Sequence, residues 1–104
     1  MKSDLPSRTF EFSKRIVGLC KHLNQQPGVP RTMANQLLRS GTSIGANVEE
    51  GQASQSPADF VSKYSIACKE ALETHYWLRL LAATDTVSPD RVADLEQECH
   101  ELIA

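Results

Sequence analysis

The chain has 104 residues, of which 40% are hydrophobic and 6% aromatic, and its formal net charge is −2. That length suits one domain, which at this size buries roughly 65% of its unfolded surface around a single core. No apolar run approaches the ~20 residues of a membrane span, and the N-terminal MKSDLPSRTF lacks the apolar middle of a secretory signal, so no membrane partner and a cytoplasmic location are expected.

A first helix is predicted over about residues 8–24, because Phe12, Ile16, Leu19 and Leu23 recur at helical spacing with Cys20 beside them. Pro27 and Gly28 end it, and Pro30 can open a second helix over about 31–50, where a missing N–H costs nothing. In that helix Leu37, Leu38, Ile44 and Val48 share an arc with Ala34, Gly41 and Gly45. Each of those glycines costs a helix roughly 1 kcal/mol relative to alanine. Gly41 and Gly45 are therefore expected to mark close helix packing, and Gly51 a helix stop.

Ser56-Pro57-Ala58-Asp59 reads as a capped helix start, giving a third helix over 57–83. Its expected core face is Phe60, Tyr64, Ala67, Ala71, His75, Leu78 and Ala82. Ser88-Pro89-Asp90 repeats the start signal for a fourth helix over 89–103, with Val92, Leu95, Cys99 and Leu102 as its stripe. Short connections make successive helices antiparallel. The fold class is all-α, an antiparallel up-down-up-down four-helix bundle forming one domain over 1–104.

Some apolar residues lie off these stripes. Ile66, Trp77 and Leu80 flank the core face of the third helix, and Phe10 and Val17 form a similar flank on the first. A second apolar strip implies a second packing partner. Val17, Ile66, Trp77 and Leu80 are the candidates for an interface with further copies of the chain. The alternative is that the N-terminal residues fold back over Trp77.

Charge is divided unevenly: +5 through Arg39 and −7 from Ser40 onward. Arg8, Lys14, Arg15 and Lys21 cluster on one arc of the first helix and are candidate contacts for RNA or DNA phosphates. Pairing of basic with acidic helices explains the same arc and is preferred, because Glu11 interrupts it and no stacking aromatics are interleaved. Arg39, Ser43, Asn47 and Glu50 lie away from the apolar arc of the second helix. They are candidates for polar contacts, Arg39 and Asn47 for buried ones that fix register.

His75 is expected to be a hydrogen-bonded core residue rather than a ligand, and the Glu-x-x-His spacing of di-metal bundles is absent. Cys20, Cys68 and Cys99 are expected to be buried, reduced thiols. No serine occupies a nucleophile elbow, and the Gly41-x-x-x-Gly45 spacing lacks the lysine-serine ending of a phosphate loop. No catalytic residue, metal, cofactor or small-molecule substrate is expected.

RSGTSIGANVEEGQAS, then SPADF, then SKYSIACKEALETHYWLRLL resemble the bacterial four helix bundle protein family. That family includes proteins encoded by intervening sequences inside large-subunit ribosomal RNA genes. The likeness covers about Phe10 to Leu81 and rests on Arg39, Ser40, Ser43, Ile44, Asn47, Glu50-Gly51, Ser56, Ile66-Ala67 and Glu70. The resemblance implies an antiparallel four-helix bundle that forms a homo-oligomer, commonly a cup-shaped pentamer, with no established activity for most members. A related branch, the accessory protein of diversity-generating retroelements, has a strongly basic surface that works with RNA. This chain is net acidic instead. The expected function is a non-enzymatic homo-oligomeric scaffold, and the alternative is an RNA- or DNA-associated accessory protein.

Overall fold

The computed structural model describes residues 4–103, which form four helices: α1 (Asp4–Leu23), α2 (Val29–Gln52), α3 (Pro57–Ala83) and α4 (Pro89–Ile103). Each helix packs on the next in chain order, and α4 returns to a slight contact with α1. The described chain is a rod of about 43 × 23 × 18 Å. No described helix is long and apolar enough to cross a membrane.

α3 and α4 span the residues that their start signals predict. Ser56, in extended conformation, accepts a hydrogen bond on its side chain from the Asp59 backbone N–H, with Pro57 in the first turn. α1 starts earlier than residue 8, at Asp4, because Pro6 in a first turn needs no intrahelical donor. α2 runs two residues past each expected end. Gly28 (φ 92°) takes the left-handed backbone just before α2, which glycine alone adopts freely.

Gly51 is not a stop. It lies buried inside the last turn of α2, where a Cβ would meet Tyr64 Cε1 at 2.8 Å. It makes room for an aromatic ring rather than a turn of the chain.

The core takes Phe12, Ile16, Leu19, Cys20 and Leu23 from α1, and Ala34, Leu37 and Ile44 from α2. Val92, Leu95 and Cys99 complete it from α4. On α3 the buried positions are Ala67, Ala71, Thr74, Leu78 and Leu81. Phe60 is exposed, and His75 and Ala82 are half-buried, which corrects the expected face. α3 is apolar on several sides, so periodicity does not single out one of them. Thr74 takes an inner place because its hydroxyl finds a buried partner in Ser40.

Gly41 and Gly45 lie against α1. A Cβ on Gly41 would meet Ile16 Cγ2 at 2.8 Å, and one on Gly45 would meet the Thr9 carbonyl oxygen at 3.2 Å. Thr9, itself buried, donates its hydroxyl back to the Leu5 and Pro6 carbonyls.

Candidate functional site

Charged residues close the seams between helices. On the α1–α4 seam Arg8 Nε donates to Glu98 Oε2 at 3.0 Å, and Arg8 Nη2 donates to Glu98 Oε1 at 2.8 Å. Nη2 also donates to Glu101 Oε1 at 2.9 Å. The bond to Glu98 raises the Arg8 pKa above its ordinary value, so Arg8 stays charged at any working pH. Lys14 pairs with Glu11 on its own helix. Two members of the expected phosphate-binding arc are thus spoken for by carboxylates, while Arg15 and Lys21 remain exposed.

Hydrogen bonds from Gln97 and then Arg8 hold the Glu101 carboxyl below its ordinary range. A group whose folded value is depressed stabilises the fold above its unfolded value, about 4.3 for glutamate, and loses that contribution as pH falls through the folded value. Acidification below about pH 4 should therefore lower amide protection factors in the last turns of α4 before those of the α1–α2 core. Arg8→Gln should blunt that difference. α4 protection factors independent of pH would count against the pairing.

On the α2–α3 seam Arg39 pairs with Glu70 at 3.3 Å and with Glu73, whose Oε2 also accepts from Trp77 Nε1 at 3.0 Å. Glu50 makes a polar contact across the same seam, where Lys63 of α3 reaches it at 2.8 Å. That bond raises the Lys63 pKa. Ser43 donates to the Arg39 carbonyl, and Asn47 donates to the Ser43 carbonyl at 2.9 Å, both within α2.

The buried polar register contact is therefore not Arg39 or Asn47. It is Thr74 Oγ1 donating to Ser40 Oγ at 2.9 Å, with both residues fully enclosed. Small hydroxyls fit between close helices, whereas a guanidinium reaches over them to keep its charge in water. The signal for them in the sequence is that Ser40 and Thr74 each fall three positions after a core residue, Leu37 and Ala71.

Trp77 is half-buried against its own core and its N–H is satisfied, so it is not a free interface anchor. Leu5 borders Val48 and Tyr64 at the opposite end of α3 from Trp77. Residues 1–3, part of the segment considered as a cover for the indole, lie outside the described residues. Val17 and Leu80 are half-buried, and Ile66 is exposed. The larger exposed apolar residues on α3 are Val61, Leu72 and Tyr76, at 62%, 57% and 52%. Phe10 and Leu38 are exposed on α1 and α2.

His75 is not a core residue. It faces His100 across the α3–α4 seam with ring centroids 6.1 Å apart. Among the described residues no three His, Cys, Asp or Glu side chains stand together to hold a metal. Cys20 and Cys99 are buried, each donating to a backbone carbonyl, and burial pushes their thiols up to about 11 and about 12 respectively. Such thiols are weak nucleophiles. Cys68 is exposed, contrary to expectation, because it sits one position past the Ala67 core contact.

A cavity of about 50 Å³ lies under the start of α1, lined mainly by apolar side chains including Ile44, Val48 and Ala67. It is too small for an ordinary substrate, given that ligand sites run to hundreds of Å³.

The chain matches the family model described as 23S rRNA-intervening sequence protein over residues 2–104. A crystal structure of a protein of unknown function from the S23 ribosomal protein family of Bacteroides thetaiotaomicron is 42% identical, with a TM-score of 0.88. The match covers 95% of this chain and 91% of that one. No curated protein matches the chain. The family model covers nearly the whole chain and the helical fold matches that of a family structure: this chain belongs to the 23S rRNA-intervening sequence protein family.

Proposed function

We propose that the protein is a non-enzymatic scaffold of the cytoplasm whose working form is a homo-oligomeric ring of four-helix bundles. The observation that carries this is the outward apolar stripe of α3, where Val61, Leu72 and Tyr76 stand more than half exposed. Phe10 and Leu38 add a second apolar patch on the α1–α2 side. Apolar surface on a small rod calls for a partner when it clusters in this way. Two patches on different faces favour a heterologous contact, in which one face meets the other on the next copy, and such contacts close into rings. Family likeness suggests five copies. Val17, Ile66 and Leu80 flank these patches and belong to the same contact, whereas Trp77 supports it from within. The weakly nucleophilic buried thiols and the carboxylates engaged by Arg8 and Arg39 fit a role in assembly rather than reaction.

Light scattering on the purified protein should report several copies at micromolar concentration. Tyr76→Asp and Phe10→Asp should each lower the mass while circular dichroism keeps the helical signal. Mixing the two variants should restore a one-to-one dimer, because each retains the face that the other lost. A monomeric wild-type protein would overturn the proposal. Dissociation by Tyr76→Asp alone, with Phe10→Asp unaffected, would replace the ring with a two-fold dimer.

A further inference from the structure

Each of the five glycines but one has a structural reason. Gly28 holds a positive φ, and Gly41, Gly45 and Gly51 each have a neighbour where a Cβ would press. Gly18 has neither: it is exposed in the interior of α1, and nothing lies within 4 Å of a Cβ built on it. Glycine weakens a helix interior relative to alanine, so the fold gains nothing from it there.

Gly18 forms part of the floor of a groove of about 270 Å³ along the α1–α4 seam, with Leu19 and Leu95 beside it and Arg15 and Arg91 lining it. Among the described residues neither arginine side chain has an ion-pair or hydrogen-bond partner. The carboxylates of Glu11 and Glu98 on the same two helices are engaged by Lys14 and Arg8, and Asp90 and Asp94, which flank Arg91 on α4, are exposed without reaching it. Two unpaired guanidiniums lining one groove give it a local positive potential that favours an anionic ligand. Guanidinium geometry suits bidentate binding of phosphate, and its flat face stacks on planar rings. The apolar floor suits a ligand that is more than a bare ion.

We propose that the groove between Arg15 and Arg91 binds the phosphate of a nucleotide, with Gly18 keeping the floor open for it. The site differs from the basic arc that the sequence suggests: it loses Arg8 and Lys14 to carboxylates and gains Arg91 from α4. It does not depend on the oligomeric scaffold proposed above.

The test is a titration of the isotopically labelled full-length protein with AMP, inorganic phosphate and a single-stranded RNA hexamer at fixed ionic strength, followed by amide and arginine Nε resonances. Saturable shifts are expected at Gly18, Arg15 and Arg91 with AMP or RNA. Stronger binding of the hexamer identifies a strand as the source of the phosphate, and the reverse a free nucleotide. Arg15→Gln and Arg91→Gln should each weaken binding about tenfold or more, while Lys21→Gln, about 120° around α1 from Arg15 and not among the residues lining the groove, leaves it unchanged. Gly18→Leu should raise the melting temperature and abolish binding, because its Cβ meets nothing within 4 Å and the rest of the side chain occupies the groove. The proposal fails if no probe gives saturable shifts at these residues at millimolar concentration, or if phosphate alone binds as well as AMP. It also fails if Lys21→Gln loses as much as Arg91→Gln, or if Gly18→Leu still binds.

Discussion

Gly41→Val should destabilise the protein by about 2 kcal/mol in urea unfolding, with the secondary structure of the folded state retained. The Cβ alone would come within 2.8 Å of Ile16 Cγ2 and 3.0 Å of its Cγ1. Ile16 has no exposed surface, so it has no free space into which to retreat. Overpacking of this kind costs about 1–3 kcal/mol, against which the better helix propensity of valine returns only a few tenths.

Gly51→Ala provides the contrast. Its Cβ would meet Tyr64 at a similar 2.8 Å, but that ring is half-buried and its hydroxyl is held only by Gln52. The ring can swing outward, and helix propensity gains up to about 1 kcal/mol, so the net change should be small. Equal losses at Gly41 and Gly51 would show that close approach of α1 and α2 is not what the first glycine serves.

Leu78→Ala should cost about 2–5 kcal/mol, and Leu72→Ala less than about 0.5 in the same unfolding measurement on the dissociated protein. Both leucines lie on α3, less than two turns apart. Leu78 is fully enclosed in the core, while Leu72 is 57% exposed. Total stabilities of domains this size are about 5–15 kcal/mol, so the first change removes a large share. Removing Leu72 should be felt in assembly, as a lower mass at dilute protein concentration. A large stability loss from Leu72→Ala in a monomer would mean that this face packs within the protomer.

The start of α3 was legible residue by residue, because a serine cap, a proline and an acid act within one turn and need no tertiary partner. The inner stripe of α1 was legible for a related reason: apart from Phe10 and Val17 its other side is mostly polar, so one face stands out. α3 has apolar residues around most of its circumference, and there the expected face included Phe60 and His75 in place of Thr74 and Leu81. Which side turns inward depends on where α2 and α4 lie. For the same reason Trp77, read from its position off the core stripe as an interface anchor, is half-buried with its N–H held by Glu73.

The candidate sites followed a similar division. That Arg8, Lys14, Arg15 and Lys21 share an arc of one helix follows from spacing alone. That Glu98 and Glu101 capture Arg8, while Arg91 comes to the groove beside Arg15, depends on two helices separated by most of the chain. By itself, the sequence determined four helices, their order and the cap that opens α3, since these are set by interactions within a few residues. Only the tertiary structure decided which faces are buried, which charges are neutralised and which arginines stay unpaired. Burial and Coulomb energy depend on distance in space, and a linear pattern records distance along the chain.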